Sequence, residues 1–363
     1  MEETSIEHTF ERHDVTGFPP IRATLVELGL DQDPDAGNLL ASECLSLENV
    51  ESLRGLTKSE LRPHSVDGID IVAFGSLARH EWTHSSDLDY LVIVAKDDVS
   101  PSLLRTVNAT ARHCVAELEA SEPGQTGTFG STVSSFELTS YLGLERDTNQ
   151  TTTRRILVLE ESISLFDDKL HYHLIDRIIA RYLVEYQTPK TGVPRLLLND
   201  VVRYWRTIAV DYQAKNWARP SDDGWGLRYL KLRITRKICF AGMLATLFIP
   251  ALEGVACDST YLSKMIDIPA LARMGKLYPY LNDDGKEALR SIIKTAGWFN
   301  GKLGDKVFRM QASAVNFHEK QIAADPDFKQ ALALAAGLQD SLTTVFFEGN
   351  DQLRNIIIKY GIF

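Results

Sequence analysis

Apolar residues recur along this chain in two rhythms. Gly68–Phe74 (G-I-D-I-V-A-F) and Asp87–Val94 (D-L-D-Y-L-V-I-V) are short, β-branched and aromatic runs bounded by turn chemistry, which predicts two strands. The Gly/Thr-rich segment 124–130 leads into a third candidate strand, Thr128–Val133. Helical spacing appears before this block, at Ile21–Leu30 and Asn38–Leu53, with D-Q-D-P-D-A-G at 31–37 as the loop between. Inside the block, Leu77–Ser86 is polar and compatible with a helix. Pro101–Glu119, Arg154–Glu160 and Leu170–Val184 have helical periodicity, and Ser134-x-x-Glu137 reads as a capping box. Beyond Pro194 the pattern predicts helices alone, at Leu196–Tyr212, Leu227–Phe248, Lys286–Leu303 and Phe328–Phe347. No internal repeat has a fixed period.

This order predicts an α+β fold in three parts: an N-terminal helical cap (1–65), a domain with a small mixed sheet (66–190), and an all-helical C-terminal domain (191–363). The length, 363 residues, suits two domains, and 44% hydrophobic content supplies a core. Ile238–Leu252 is apolar, but Pro250 interrupts it and it is shorter than the roughly 18 residues that suggest a membrane span, so it reads as a buried helix and no membrane partner is expected. The first residues lack an apolar signal core, and none of the four cysteines forms a C-x-x-C pair. Reduced, mostly buried thiols in a cytoplasmic protein are expected. The oligomeric state is open.

Charge is distributed unevenly. The first sixty residues hold thirteen Asp/Glu against four Lys/Arg, and the whole chain carries a net charge of −10. Residues 195–237 reverse this, with ten Lys/Arg against four Asp/Glu. A protein that grips nucleic acid with its whole surface would be basic, so any phosphate site here is local. Arg203 and Arg206 lie one turn apart. Arg228, Lys231 and Thr235 share a helical face, flanked by Arg233, Arg236 and Lys237. Such a face is either solvated or a wall that holds triphosphate or a nucleic-acid backbone. Trp205, Trp217 and Trp225 interleave with it, as stacking platforms or as core.

The chemistry concentrates in Phe74-Gly75-Ser76-Leu77-Ala78-Arg79-His80-Glu81 and Ser85-Ser86-Asp87-Leu88-Asp89-Tyr90. Side chains alternate along a strand, so Asp87 and Asp89 point the same way, about 7 Å apart. Two adjacent carboxylates repel unless a cation sits between them. A hard divalent ion, Mg²⁺ or Mn²⁺, held by one or two carboxylates plus substrate phosphates, resolves this. Gly75 after a strand lets the backbone approach a ligand, and Ser76 with its neighbouring amides offers donors for phosphate oxygens. Arg79 either reaches a phosphate or pairs with Glu81.

The run F-G-S-L-A-R-H-E-W-T-H-S-S-D-L-D-Y-L-V-I-V resembles the DNA polymerase β-type nucleotidyltransferase superfamily, whose signature is G-S followed by D-x-D on a strand. The resemblance implies that Asp87 and Asp89 bind catalytic metals, and that Gly75 and Ser76 seat the triphosphate of an NTP or dNTP. It also implies a third carboxylate that serves as base. Glu122 and Asp147 are the candidates, Asp147 alternatively being the N-cap of the helix with Arg154; Glu137 fits better as half of its capping box. Over about residues 70–245 the chain looks like stand-alone bacterial nucleotidyltransferases with a helical C-terminal domain, among them the Hailong type of antiphage operons. That group makes DNA oligomers without a template, begun on a tyrosine near the C-terminus. Tyr360 matches that position, and alternatively belongs to an apolar tail docked on the helices. The expected function is nucleotidyl transfer to a hydroxyl with pyrophosphate release, with an oligonucleotide as product or primer and a partner effector protein in a defence operon. Single-nucleotide transfer to a protein, tRNA or small molecule, and a non-catalytic nucleotide-binding module, are the alternatives.

Overall fold

The computed structural model describes residues 19–121, 128–143, 145–184, 192–218, 224–316 and 325–362. Two helices open it, α1 (Pro20–Glu27) and α2 (Pro34–Leu61). The Glu43 carboxylate, on α2, accepts the first amides of α1, from Ile21 (2.7 Å) and Arg22 (3.0 Å). A negative group at a helix N-terminus satisfies donors that have no intrahelical partner.

Next come β1 (Ile69–Phe74), β2 (Asp89–Val94), α3 (Pro101–Glu117), β3 (Ser131–Ser134), α4 (Ser135–Ser140), α5 (Asn149–Glu160), β4 (Ser162–Ser164) and α6 (Asp168–Leu183). The strands form one mixed sheet in the order β3-β2-β1-β4. β1 runs antiparallel to β2 and β4, and β2 runs parallel to β3. The chain continues through α7 (Arg195–Ala218), α8 (Trp225–Lys231), α9 (Lys237–Glu253), α10 (Ser259–Ile266), α11 (Ala270–Gly275), α12 (Asp283–Gly304), α13 (Lys306–Ala314), α14 (Pro326–Thr343) and α15 (Asp351–Ile357). The expected α+β architecture, a small mixed sheet followed by helices, is therefore present. Trp225–Glu253 forms one continuous helix, with a π-helical turn at Leu232–Arg236 joining α8 to α9. It is long and apolar enough to cross a membrane, but two-thirds of its apolar window is buried inside the fold.

The sheet separates two cores. Ile69, Ile71, Ala73, Leu88, Tyr90 and Val92 face one core, which includes residues of α2 and α3. Val72, Phe74, Leu91 and Ile93 face the other, which is continuous with the C-terminal helices. By strand alternation Asp87 and Asp89 share the second face, towards the helical region. α2 joins both halves, since the Asn38 amide donates to the Gly297 carbonyl on α12 (3.2 Å) while Val50, Leu53 and Leu61 pack under the sheet.

Several local expectations differ from the structure. Leu77–Ser86 is a chain of turns. Gly75 (φ 74°) and His80 (φ 59°) adopt left-handed conformations that cannot continue a right-handed helix. The Ser46 hydroxyl on α2 accepts the Trp82 amide (3.0 Å), and the Ser86 hydroxyl accepts that of Thr83 (3.0 Å). β2 begins at Asp89, and Asp87 makes an isolated bridge to Ser121. β3 overlaps the third candidate strand but begins at Ser131, three residues after its expected start at Thr128. α5 begins at Asn149, five residues before the predicted Arg154, and its N-cap is Thr148, whose hydroxyl accepts the Thr151 amide (3.1 Å). Three-residue β4 is too short to leave a periodic signal. Ser134 does cap α4, accepting the Phe136 amide (3.2 Å).

Candidate active site

The hairpin register places the two halves of the motif together. Phe74 pairs with Asp89, so the bend that follows Phe74 lies beside the second aspartate. A Cβ added to Gly75 would stand 3.9 Å from both Arg79 Nη1 and Asp89 Oδ2. Gly75 therefore serves twice: its positive φ reverses the chain, and its bare Cα leaves the approach to Asp89 open. The Gly75 amide donates to the Glu161 carbonyl (3.3 Å), and the Arg79 amide donates back to Gly75 (2.9 Å). The loop is pinned further on, where the Thr83 hydroxyl donates to the Leu303 carbonyl on α12 (3.4 Å).

Asp87 is exposed and Asp89 half-buried. Burial pushes Asp89 up to about 6 against the opposing pull of Arg236, and the charges of Asp87 and Glu161 add to the rise. The electrostatic partners come from the helical region. Burial brings Lys231 down to about 8 while Asp87 opposes that shift, and Arg309 is lowered by burial and likewise opposed by Asp87. Two aspartates thus face Lys231, Arg236 and Arg309 across the junction.

Local sequence explains how these cations arrive. In an uninterrupted α-helix, Thr235 would follow Arg228 and Lys231 on the same face. The π turn takes about one residue more per turn, so Arg236 replaces Thr235 there, and Arg228, Lys231, Leu232 and Arg236 line one cleft. Gly226 lets α13 approach, because a Cβ there would lie 2.4 Å from the Ala312 carbonyl. The Gly226 amide donates to Val315 (3.1 Å) and that of Gly224 to Ser313 (2.9 Å), which fixes α13 and its Arg309 against α8.

Behind the aspartates lies a buried ionic cluster. Arg79 Nε donates to Glu81 (2.8 Å) and its Nη1 to Glu161, whose other oxygen accepts from Arg236. Burial alone would raise Glu161, but the Arg236 and Arg79 guanidiniums outweigh it and hold the carboxyl below its usual range. Burial and the Glu161 charge push neighbouring Glu160 up to about 8. Arg79 thus makes the pair with Glu81 that was one of its two expectations.

The cleft, about 240 Å³, is also lined by Thr128, Phe129, Thr153, Tyr204, Asp211 and Tyr212. The lining mixes the basic Arg228, Lys231 and Arg236 with aromatic rings, hydroxyls and the Asp211 carboxylate, a mixture suited to phosphates and a base.

The remaining candidates lie elsewhere. Asp147 is not brought to Asp87 and Asp89. Its carboxylate accepts from Arg155 (2.9 and 2.8 Å), Thr152 (3.2 Å) and the Gly143 amide (3.0 Å), a buried brace at the start of α5. Glu122 lies outside the described residues, just after Ser121, the bridge partner of Asp87. Arg203 donates to the Asp147 carbonyl (3.1 Å) and to Asn149 (3.0 Å), and with Arg206 lines a second groove on α7. Tyr360 packs beside Gly192 under the Arg195 guanidinium, at the N-terminal end of α7. Trp205 stacks on Phe240 and Trp225 on Tyr229, while the Trp217 side chain lies outside the described ones. Sequence reasoning missed the roles of Glu161 and Arg309, and named Arg236 only as a flanking charge. The consecutive acids Glu160-Glu161 closing an apolar helix were the available signal.

The donor set fits a divalent cation. Asp87 and Asp89 share a face, and burial beside a like charge disfavours the ionised form of Asp89 unless positive charge is close. Among the described residues no third His, Cys, Asp or Glu completes a metal cage with them. Two carboxylates whose remaining positions are filled by substrate phosphates and water match the habits of Mg²⁺.

Residues 56–162 match the nucleotidyltransferase domain family. That span contains Gly75, Ser76, Asp87, Asp89 and Glu161, and it covers less than a third of the chain. No curated protein matches the chain. The match supports nucleotidyl transfer from an NTP-type substrate, and domains of this kind typically use divalent metals.

Proposed function

We propose that this protein is a Mg²⁺-dependent nucleotidyltransferase acting in the cleft between the sheet and helices α7–α9. The observation that carries this reading is the placement of Asp87 and Asp89 beside the Gly75 bend and opposite Lys231, Arg236 and Arg309. A bound divalent cation would neutralise charge on the phosphates and polarise the one under attack. Asp87 and Asp89 would hold that ion. Lys231, Arg236 and Arg309 take the triphosphate and the charge that develops on departing pyrophosphate. Gly75 and Ser76 offer backbone and hydroxyl donors to phosphate oxygens. The acceptor hydroxyl, losing its proton to water, attacks the α-phosphorus, the bond to the bridging oxygen breaks, and pyrophosphate leaves with that electron pair. Such a site works by positioning and electrostatics rather than by a covalent enzyme intermediate.

For the acceptor, we take the growing end of an oligonucleotide, a DNA chain made without a template in antiphage defence and begun on Tyr360. This finer reading rests on the resemblance to Hailong-type enzymes. One observation favours the alternative, transfer of a single nucleotide to another molecule. Tyr360 is docked against Arg195, nine residues and about 13 Å along α7 from Tyr204 in the cleft. Priming on Tyr360 therefore requires the C-terminal segment to leave that berth. Incubation with Mg²⁺ and each NTP and dNTP, followed by intact mass spectrometry, separates the readings. A ladder on the protein supports Tyr360-primed synthesis, free oligomers with unmodified protein support other initiation, and one fixed mass increment on a supplied acceptor supports single transfer. No product and no pyrophosphate with any nucleotide would refute the enzyme reading.

A further inference from the structure

Glu161 sits where three parts of the chain meet. Its side chain is fully buried. One carboxylate oxygen accepts from Arg79, on the bend after β1, and the other from Arg236, on the π turn of the long helix. Its backbone carbonyl accepts the Gly75 amide (3.3 Å), and the Cys239 thiol lies 3.9 Å from the Arg79-bound oxygen. The carboxylate therefore has no open coordination to offer a substrate. What it does is hold two guanidiniums that would otherwise repel each other.

The two arginines come from different parts of the site and meet at one carboxylate. Arg79 stands next to Gly75, within van der Waals reach of where a Cβ would be. Arg236 lines the cleft on the helical side and acts electrostatically on Asp89. Arg79 has a second acid in Glu81. For Arg236, Glu161 supplies the ion pair. The arginine stem has several rotatable bonds, and a fixed acceptor makes the direction of its planar guanidinium definite.

We infer that Glu161 is a positioning residue for nucleotidyl transfer: it aims Arg236 across the cleft at the phosphates held beside Asp89, and ties that aim to the Gly75–Arg79 bend. This rests on the nucleotidyltransferase reading. The clamp makes the helical half and the sheet half of the site one unit, so the cations are in register with the aspartates before substrate arrives. Pre-aimed charge avoids reorganisation at the moment of reaction. Glu161 itself touches no reacting atom and acts through Arg236.

The test is a double-mutant cycle with Glu161→Gln and Arg236→Gln, reading kcat and KM for the preferred nucleotide by pyrophosphate release, with Tm measured for each protein. Glu161→Gln keeps the shape and removes the charge. It is expected to lower kcat by about 10- to 100-fold with KM changed by less than about threefold. Arg236→Gln is expected to lower kcat similarly, and the double variant to fall less than about threefold below Arg236→Gln. A structural role for Glu161 would instead lower kcat by the same factor in both backgrounds, in step with Tm, and that result overturns the inference. Parental kcat in Glu161→Gln overturns it too. If the Gln variant does not fold, Glu161→Asp retains the charge but is too short to hold both arginines. An intermediate kcat that is again non-additive with Arg236→Gln supports the inference, and additive loss overturns it. A parent protein that releases no pyrophosphate with any nucleotide removes the nucleotidyltransferase reading itself, an outcome distinct from an active parent whose Glu161 variants turn over normally.

Discussion

Phe74 and Asp89 are direct partners across the β1–β2 hairpin. That single register relationship brings the Gly75–Ser76 bend to the second aspartate of the D-x-D pair, although the residues between them form turns rather than a helix. A slip of one residue would turn Asp87 and Asp89 towards the core that holds Leu88 and Tyr90, and away from Lys231 and Arg236.

The aspartates are expected to be needed for chemistry and dispensable for folding. Asp87→Asn and Asp89→Asn should each lower pyrophosphate release at least about 1,000-fold. Tm should stay within a few degrees of the parent or rise, because each change relieves repulsion between neighbouring carboxylates. Circular dichroism melts beside the activity assay check this, and a Tm drop matching the loss of activity would assign these residues to stability instead.

The cations should act on substrate binding. Lys231→Ala and Arg309→Ala each remove a charge that faces Asp87. A charge-assisted phosphate contact is worth about 1.5–3 kcal/mol, or roughly 10- to 100-fold in nucleotide affinity. Titration calorimetry with a Mg²⁺-bound non-hydrolysable nucleotide measures it. Affinities equal to the parent would place the triphosphate elsewhere.

Asp147 should behave as a brace. It supplies the buried Arg155 guanidinium with an ion pair at 2.8 Å. Asp147→Ala removes that pair and leaves the buried guanidinium to Asp200 (3.3 Å), and losing one charge-assisted partner in this way is expected to cost about 1–3 kcal/mol. Any activity loss should follow the unfolded fraction and vanish when assays are run well below the lowered Tm. Persistent inactivity of the folded variant would return Asp147 to the catalytic list.

Asp70 gives a pH signature. Its Oδ1 accepts from Ser164 (3.0 Å), Phe166 (3.2 Å) and Asp167 (2.8 Å), and its Oδ2 is buried without a partner. Burial pushes this carboxyl up to about 8 in the fold, against about 4 in the unfolded chain. Between those values the native state keeps a proton that the unfolded state has lost, so this group's contribution to stability declines as pH rises from about 4 to about 8 and is flat above. Asp70→Asn keeps an acceptor for the three donors and carries no charge. It should flatten that decline and raise Tm at pH 9 relative to the parent. A variant that melts well below the parent at pH 9 would contradict this.

The parts of this protein that could be read from sequence were those set by short-range pattern. Alternation in G-I-D-I-V-A-F and D-L-D-Y-L-V-I-V indicated β1, β2 and the shared face of Asp87 and Asp89, and apolar periodicity located the longer C-terminal helices α7, α8–α9, α12 and α14 but not the short α10, α11, α13 and α15. What was not legible came from long-range geometry. Glu161 gains meaning only when Arg79 and Arg236 converge on it. Arg236, expected beside the face shared by Arg228 and Lys231, was brought onto it by a π turn, which 3.6-residue periodicity does not anticipate. Arg309 faces Asp87 because Gly226 admits α13 next to α8. Arg203 and Arg206 belong to the same basic run as Lys231, yet α7 carries them to another groove.

The most direct measurement is pyrophosphate release by the intact protein with Mg²⁺ and each NTP and dNTP, beside the Asp87→Asn/Asp89→Asn double variant and a metal-free control with chelator. Nucleotide-dependent release that disappears in both controls, while the double variant still melts cooperatively, is the predicted result. Release that persists in the folded double variant would contradict the assignment of these two carboxylates as the catalytic centre.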